Sequence, residues 1–518
     1  MIKFLLKGLI IMFVGREDEL KQLDALWNKV TKTSLVTVRG RRRIGKSTLI
    51  EHFSRTSAAR FLKVEGLAPK AAKSNQDQLK AFYSQLQLQT GESYEIKDWL
   101  KAFMDLDGAI RDDSRTVVLL DEISWMGRYE RNFSGLLKIA WDNFFHRHPN
   151  LILFLCGSVS SWIRENILEN AGFLGRPSLD IVLKELPVKD CLAFWGGAGK
   201  RLSSRELFDM LSVTGGVPRY LEEIDPSLSV DEALRQSCFT PRGYLFKDFD
   251  LMFDELYDKD AGVRKNILMA VAERPKTVSE IAAALKRPRN GHVVGLVSDL
   301  VQAGFLSAER GNNPVTGELR QEIRYRICDN YVRFYLHFLV PRRAMIEDGT
   351  YRFESLEQLP GWDGILGLQF ENLVLGALPV LVRHLHLEKS RILSMAPFRK
   401  FSRDSEQGCQ IDCLIQTKRS LYVVEIKRKN EIGMEIIDEV EQKIARLPYD
   451  GKLSVRPVLV YEGRLSPSVN DENYFTSIIS AAELFGLKCP LHRQGQSPNR
   501  MGTVPEGSPD SAFSAPSA

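Results

Sequence analysis

The first 190 residues alternate between short apolar runs and segments whose apolar residues recur at helical spacing. The helical pattern begins at 17–31, where Leu20, Leu23 and Leu26 share one face. The apolar runs are typical of buried strands and lie at 34–39, 61–64, 117–120, 151–156 and 181–183. Strands that alternate with helices predict a parallel sheet covered on both faces, so the predicted fold class is α/β.

The pattern changes twice after residue 190. Residues 190–255 are predicted to be helical, with a break at 215–218 where the sequence reads GGVP. Three short amphipathic helices and two strands follow at 262–273, 278–285, 291–303, 305–307 and 323–327. The two strands are joined by a Gly/Asn/Pro-rich turn, and three helices followed by a hairpin describe a winged helix.

The last part of the chain begins as another mixed unit and ends in a polar tail. A helix is predicted at 365–384, followed by strand-like runs at 410–416, 421–426 and 456–461. From Gln494 the sequence is rich in Gly, Ser and Pro, so residues 491–518 are predicted to be disordered.

Composition narrows the class of protein only slightly. At 518 residues the chain is too long for one hydrophobic core, and its net charge of +5 permits a nucleic-acid partner without arguing for one. The seven cysteines include no CxxC pair. This pattern predicts reduced thiols in a cytoplasmic protein, with neither a disulfide framework nor a zinc site.

The first 14 residues form an apolar stretch that looks like a short signal sequence or anchor. The stretch is shorter than the roughly 20 residues that a membrane span requires, and it has no small-residue cleavage site. It also runs directly into the polar segment that begins at Gly15. We therefore expect a start at Met12 or a simple apolar strand, with no membrane partner.

A phosphate-binding loop is predicted at 40–47, where GRRRIGKS fits the pattern GxxxxGK[ST] between a strand and a helix. Gly40 and Gly45 allow the backbone N–H groups to turn inward towards phosphate oxygens. Lys46 is expected to reach the β- and γ-phosphates, and the Ser47 hydroxyl to bind Mg²⁺. The predicted nucleotide-binding residues are Gly40, Arg41, Arg42, Arg43, Ile44, Gly45, Lys46, Ser47 and Thr48. Of the three arginines, we expect at least two to face solvent.

Two further motifs belong with this loop. The apolar run at 117–120 ends in Asp121 and Glu122, which are expected to hold Mg²⁺ and to activate the attacking water, respectively. A second apolar run ends in Ser158, whose hydroxyl either contacts the γ-phosphate or the water, or caps the following helix. The loop and the acidic pair together predict an ATP·Mg²⁺ site.

Six elements in order resemble the archaeal-type ATPase family, a branch of P-loop NTPases close to AAA+ and STAND proteins. They are FVGRE at 13–17, the glycine loop, LLDEISWM at 119–126, GS at 157–158, GR at 175–176 and GGVPRYL at 215–221. The resemblance covers residues 13–255 and implies an AAA+-like sheet with a helical lid. It also implies that Arg176 or Arg219 senses the γ-phosphate, within one chain or from a neighbouring subunit of a homo-oligomer. A surface ion pair is the alternative for each arginine.

The predicted reading helix of the winged helix, residues 291–300, is poor in side chains that recognise bases. It offers His292 and Ser298 beside the acidic Asp299. The nearby side chains that could hold DNA phosphates are Lys286, Arg287, Arg289 and Asn290. DNA binding and packing against protein therefore remain equal alternatives for this unit.

A group of carboxylates is predicted near the C-terminus. Asp412 and Glu425 lie in two consecutive strand-like runs, and Lys427 is expected on the same face as Glu425. With Glu371 in the preceding helix, the pattern resembles the PD-(D/E)XK nuclease superfamily over residues 365–461. The resemblance implies that Asp412 and Glu425 bind metal, Lys427 assists attack and Glu371 completes the site. Gln442 is a weaker candidate, and an ordinary hairpin or a fold without cutting activity is the alternative.

These observations predict five parts, which are an ATPase core at 13–190, a helical lid at 191–257, a winged helix at 258–330, a nuclease-like α/β domain at 331–490 and the tail. The leading hypothesis is an ATPase that couples ATP turnover to DNA binding or to Mg²⁺-dependent DNA cleavage. The rival hypothesis is a STAND-like regulatory switch whose C-terminal domain binds without cutting.

Overall fold

The computed structural model describes residues 13–29, 32–111, 114–199, 201–257, 260–400, 408–449 and 451–487. The predictions for the apolar start and for the disordered tail at 491–518 lie outside these residues. The described residues belong to one compact unit.

The N-terminal half is built on a five-stranded sheet in the order β2-β3-β4-β1-β5. Its strands are β1 (Ser34–Gly40), β2 (Arg60–Glu65), β3 (Thr116–Asp121), β4 (Leu151–Gly157) and β5 (Pro177–Leu183). All neighbouring pairs are parallel. Every residue of β3 and of β4 is buried, which explains their continuous apolar sequence.

Helices cover both faces of this sheet. They are α1 (Glu17–Asn28), α2 (Lys46–Thr56), α3 (Asn75–Thr90), α4 (Trp99–Gly108), α5 (Ile123–Met126), α6 (Phe133–Asn143) and α7 (Ser160–Ile163). Alternate residues of β3 belong to two different hydrophobic clusters, with Val117 packed among residues of α1 and α2 and Val118 among residues of α3, α4 and α6. This arrangement of a parallel sheet with helices on both faces confirms the predicted α/β class.

A helical region follows, as the sequence predicts. Its helices are α8 (Val188–Phe194), α9 (Gly196–Gly199), α10 (Ser204–Thr214), α11 (Pro218–Glu222), α12 (Val230–Cys238) and α13 (Tyr244–Leu256). The GGVP segment separates α10 from α11, with Pro218 as the first helical residue, a position where its missing N–H costs nothing.

The next segment is called here the helix–hairpin unit. It consists of α14 (Ala261–Val271), α15 (Val278–Ala284), α16 (Gly291–Gln302) and the antiparallel strands β6 (Leu306–Asn312) and β7 (Leu319–Ile327). The strands are longer and the turn shorter than predicted. The hairpin packs on the C-terminal sheet, where Asn312 donates to the Ser394 hydroxyl at 2.9 Å and Glu309 forms an ion pair with Arg399.

The C-terminal sheet has the order β12-β11-β10-β9-β8. Its strands are β8 (Ile392–Lys400), β9 (Cys409–Thr417), β10 (Ser420–Ile432), β11 (Ser454–Leu465) and β12 (Ser477–Ser480). β10 pairs with β11 in parallel and with β9 in antiparallel fashion. β8 and β12, at the two edges, were not predicted from the sequence.

The helices of this half are α17 (Asn330–Phe334), α18 (Arg343–Glu347), α19 (Trp362–Gly376), α20 (Leu378–His384), α21 (Glu435–Ala445), α22 (Pro467–Asp471) and α23 (Ala481–Leu484). The predicted helix at 365–384 is wrong in one respect, because it divides at Ala377 and Pro379 lies in the first turn of α20. Within the described ranges no single helix is long and apolar enough to cross a membrane, and α19 and α20 reach that length only as a pair bent by 71°.

Candidate functional site

The phosphate loop connects β1 to α2 with the backbone conformation that its glycines permit. Gly40 has φ 144° and lies so close to β5 that an added Cβ would approach the Leu183 carbonyl oxygen to 2.4 Å. Gly45 has φ 87°, and Arg43 also has a positive φ of 69°. The Ile44 side chain is buried in the core, whereas Thr48 is exposed in the first turn of α2.

Lys46 lies inside the curve of this loop. Its ammonium group donates to the carbonyl oxygens of Gly40 and Arg41, both at 3.2 Å, and to the Ser158 hydroxyl at 2.9 Å. Within the described part of the chain, no carboxylate lies within ion-pair distance of Lys46. The lysine is thus held by neutral oxygens only.

Ser47 and Asp121, the predicted Mg²⁺ ligands, are adjacent. The Ser47 hydroxyl donates to Asp121 Oδ2 at 2.6 Å, which places a hydroxyl and a carboxylate oxygen together at the ends of α2 and β3. This pair of oxygen donors fits Mg²⁺. Lys63 on β2, which sequence reasoning missed, lies 3.6 Å from the same Asp121 oxygen and 2.9 Å from Glu51.

Glu122 is turned towards Ser158, the residue directly after the neighbouring strand β4. The Ser158 hydroxyl donates to Glu122 Oε1 at 2.6 Å, and the Ser158 backbone N–H donates to Oε2 at 3.0 Å. Ser158 does not cap α7, whose N-cap residue is Val159 without a side-chain hydrogen bond. Lys46, Ser158 and Glu122 therefore form one continuous hydrogen-bonded chain, and the alternative of a helix cap for Ser158 is wrong.

The three loop arginines do not face open solvent, which corrects the expectation for at least two of them. Arg41 is 4% exposed and forms an ion pair with Asp329, just before α17. The other two guanidinium groups, each 19% exposed, pair with residues of α13, Arg42 with Glu255 and Arg43 with Asp248. The sequence could not show this, because the partners lie more than 200 positions along the chain and pair only in the folded protein.

Arg176 and Arg219, the two predicted γ-phosphate sensors, have surface carboxylates as partners. Arg176 donates to both oxygens of Asp142 at 2.8 and 2.9 Å, and this pair lowers the pKa of Asp142 to about 2. Arg219 is 44% exposed and pairs with Glu222, the last residue of α11, and with Glu223 directly after it. The structure therefore places both arginines in the ion pairs that the alternative interpretation describes.

Further polar side chains lie beneath the loop. The Tyr220 hydroxyl accepts from Arg41 at 3.3 Å and donates to Asp248 at 2.7 Å. Glu185, after β5, accepts from the Gly216 N–H at 3.1 Å. Burial first, and then the Asp329 carboxylate, raise the pKa of Glu185 to about 7. This buried network ties the loop to the helices that follow the sheet.

The C-terminal carboxylates are brought together but already have cationic partners. Asp412 accepts from the Ile426 N–H at 2.9 Å, and Glu425 is 1% exposed. Lys443 on α21 donates to both Glu425 oxygens at 2.6 and 2.7 Å, and Lys427 lies 3.0 Å from the same carboxylate. Sequence reasoning missed Lys443 and proposed Gln442, which is exposed. The signal for Lys443 was its place on the apolar stripe of α21.

The pKa values of these acids are raised by burial and by the neighbouring carboxylates. Burial first, and then Glu371, raise the pKa of Asp412 to about 6. Burial first, and then Asp412, raise the pKa of Glu425 to about 7. Glu371 itself lies 3.5 Å from the Arg326 guanidinium of β7.

The C-terminal group does not fit a divalent metal ion as it stands. Among the described residues, no three or more His, Cys, Asp or Glu side chains are arranged to hold one. The reason is chemical, because the two ammonium groups on Glu425 occupy the lone pairs that a metal ion would need and would repel its charge.

The exposed surface of α16 offers little to DNA bases. His292 and Val294 are exposed, while Asp299 forms an ion pair with Arg264. Lys286, Arg287 and Arg289 remain exposed in the loop before the helix. DNA contact through these cations stays a prediction.

No protein-family model matches the chain. An uncharacterised protein of Methanocaldococcus jannaschii is 24% identical over 428 residues, which cover 81% of this chain and 88% of that protein. An uncharacterised ATP-binding protein of the same organism is 48% identical over 44 residues, which cover 8% of this chain and 73% of that protein.

Solved structures give distant similarities. A Walker-type ATPase of Pyrococcus abyssi has a TM-score of 0.46 and 17% identity, covering 62% of this chain and 96% of its own. The Aeropyrum pernix ORC2 protein, solved in ADPNP–ADP complexes, has a TM-score of 0.40 and 14% identity, covering 64% of this chain and 94% of its own.

Proposed function

We propose that this chain binds and hydrolyses ATP with Mg²⁺ at the loop between β1 and α2. The observation that supports this most is the hydrogen-bonded chain of Lys46, Ser158 and Glu122 beside the Ser47–Asp121 pair. These groups supply a cation for phosphate oxygens, a base for water and two oxygen donors for a metal ion. A structural role would not require all of them to converge at the open ends of parallel strands.

The chemistry follows from these positions. A water oxygen bonds to the γ-phosphorus while the bond to the β,γ-bridging oxygen breaks, and ADP leaves with that electron pair. Glu122 accepts the proton of the water, Ser158 fixes the orientation of Glu122, and Lys46 neutralises charge on the phosphate oxygens. Mg²⁺ bound at Ser47 and Asp121 would supply further neutralisation of the β- and γ-phosphates.

Calorimetry and steady-state hydrolysis test the proposal on the full chain. We expect ATP to bind in the presence of Mg²⁺ and phosphate to be released, with GTP measured in parallel. Lys46→Ala should lose both, because the loop then lacks its inward cation. Lys97→Ala, which removes a lysine with an exposed partner at Glu95, is the matched control and should behave as wild type. Unchanged ATP turnover in Lys46→Ala would overturn the proposal.

We also propose that ATP turnover acts on the C-terminal half. Support comes from the ion pairs that join the phosphate loop to elements after the sheet, Arg41 with Asp329 before α17 and Arg42 with Glu255 on α13. Displacement of these partners by nucleotide would shift the lid and the helix–hairpin unit. Assembly into a homo-oligomer and the identification of the helix–hairpin unit as a winged helix remain predictions.

For the C-terminal domain, the arrangement favours a module that binds without cutting. Lys443 donates hydrogen bonds to both oxygens of Glu425, which supports a binding module over a Mg²⁺-dependent nuclease. Plasmid DNA incubated with wild-type protein, Mg²⁺ and ATP should stay supercoiled. Nicking that is lost in Asp412→Ala and in Lys427→Ala would instead establish the nuclease.

A further inference from the structure

Arg42 is the arginine that lies beside the proposed catalytic base. Its Nη1 atom is 3.9 Å from Glu122 Oε1, the same oxygen that accepts the Ser158 hydroxyl. Arg176 and Arg219, by comparison, are engaged by surface carboxylates. The phosphate loop thus brings its own guanidinium group to the edge of the reacting site.

Arg42 is held by two neighbouring side chains and borders an open space. Its guanidinium stacks over the Trp125 ring at 5.1 Å, and its Nη2 atom lies 2.5 Å from Glu255 Oε2. A cavity of about 510 Å³ adjoins it, lined in part by Glu65, Gly66 and Trp125. Glu255 on α13 is the ion-pair partner of this side chain.

We propose that Arg42 is a catalytic arginine supplied within the chain, which exchanges Glu255 for the γ-phosphate when ATP binds. This inference rests on the proposed ATPase function. The γ-phosphate carries more negative charge than one carboxylate. It also presents two oxygens in the geometry that a forked guanidinium group binds. As the bond between the γ-phosphorus and the bridging oxygen breaks, Arg42 stabilises the charge on the transferred group and keeps all its protons.

The exchange of partners also links ATP binding to the contact between the phosphate loop and α13. In the ATP-bound state Glu255 loses its cation, so one ion pair between the loop and α13 breaks while Arg43 still pairs with Asp248. In the resting state Glu255 therefore holds Arg42 and competes with the γ-phosphate for it. Glu255→Gln should weaken the resting contact and lower the KM for ATP, while leaving the arginine available for the reaction.

The first measurement is hydrolysis by Arg42→Ala and Arg42→Lys. We expect kcat to fall by about a thousand-fold in Arg42→Ala, as for arginines that stabilise phosphoryl transfer, with a smaller loss in Arg42→Lys. Arg39→Lys is the control, because Arg39 lies on β1 and pairs with Asp180 at 2.8 Å outside the site. It should keep the wild-type rate.

The second measurement does not depend on turnover. ADP with aluminium fluoride mimics the transferring phosphoryl group, so its affinity should fall at least about a hundred-fold in Arg42→Ala while ADP alone binds as in wild type. Trp125 gives a third readout, since departure of the stacked guanidinium should change its fluorescence on ATP binding. That change should be absent in Trp125→Phe and in Arg42→Ala.

The possible outcomes distinguish a failure of the proposed Arg42 role from a failure of the ATPase proposal. Wild-type turnover by Arg42→Ala, or unchanged affinity for ADP–aluminium fluoride, would overturn the role of Arg42 and leave the ATPase proposal intact. Absence of ATP hydrolysis by wild-type protein would overturn the ATPase proposal itself. A low kcat in Arg42→Ala with weaker aluminium fluoride binding and normal ADP binding supports the inference.

Discussion

Two groups of residues in this molecule contain both lysine and carboxylate side chains and differ in how their lysines are paired. At the phosphate loop, Lys46 donates to two carbonyl oxygens and one hydroxyl. In the C-terminal group, Lys443 and Lys427 both lie within 3.0 Å of an oxygen of Glu425. The difference lies in whether the cation already has an anion beside it.

This difference determines what each group can do. A lysine held by neutral oxygens retains its attraction for an incoming phosphate, because its charge is not compensated. A lysine paired to a buried carboxylate has no such attraction and fills the metal-binding face of its partner. The motif GxxxxGK[ST] predicts the first situation well, whereas the short Glu-x-Lys pattern does not distinguish the second from a metal site.

The largest effect that would sharpen this comparison is expected at Glu122. Glu122→Gln removes the base and keeps one of the two hydrogen bonds that Ser158 donates, so kcat should fall by about 10²–10³-fold with little change in ATP affinity. Single-turnover phosphate release and calorimetry measure the two quantities. A variant that hydrolyses ATP at the wild-type rate would show that the water is activated elsewhere.

A smaller effect, on stability, is expected at Lys443. Lys443→Met leaves the buried Glu425 with one cation fewer, so the free energy of unfolding should fall by about 3 kcal/mol. The double variant Lys443→Met/Glu425→Gln should recover most of that loss, since the orphaned charge is gone. Chemical denaturation followed by circular dichroism checks both. If Lys443→Met keeps the wild-type free energy of unfolding, the Lys443–Glu425 pair is not the dominant contact among the C-terminal carboxylates.

Glu185 tests whether a buried carboxylate beneath the phosphate loop lowers the stability of the folded protein at neutral pH. Its folded-state pKa of about 7 exceeds the usual value, so the folded protein binds this proton more tightly than the unfolded chain does. The contribution of that proton to the free energy of unfolding is complete below about pH 4. It is lost as the pH rises to about 7, which lowers the free energy of unfolding by about 1–3 kcal/mol. Glu185→Gln should therefore be more stable than wild type at pH 8 and similar to it at pH 4.

Denaturation curves at several pH values measure this difference. Other acids also titrate in the window, including Asp412 and Glu425, so the comparison between variant and wild type isolates Glu185. An advantage of the variant that does not change with pH would contradict the assignment.

Much of the N-terminal half was readable from the sequence, because its signals are local. The runs ending in Asp121 and Ser158 are fully buried strands, and the loop between β1 and α2 has the predicted positive-φ glycines. The pairing of Arg41 with Asp329 was not readable, since 288 positions separate the partners. The apolar stripe of α21 shows which side of the helix Lys443 shares, but its pairing with Glu425 depends on how α21 packs against the C-terminal sheet.

The backbone at Glu122 has a consequence for the design of stabilised variants. This residue has φ 46° and ψ 47°, a left-handed conformation that costs a non-glycine residue about 1 kcal/mol. Glycine at this position would relieve that cost but would remove the carboxylate that Ser158 holds. A stabilised version of this chain should therefore be sought at other positions.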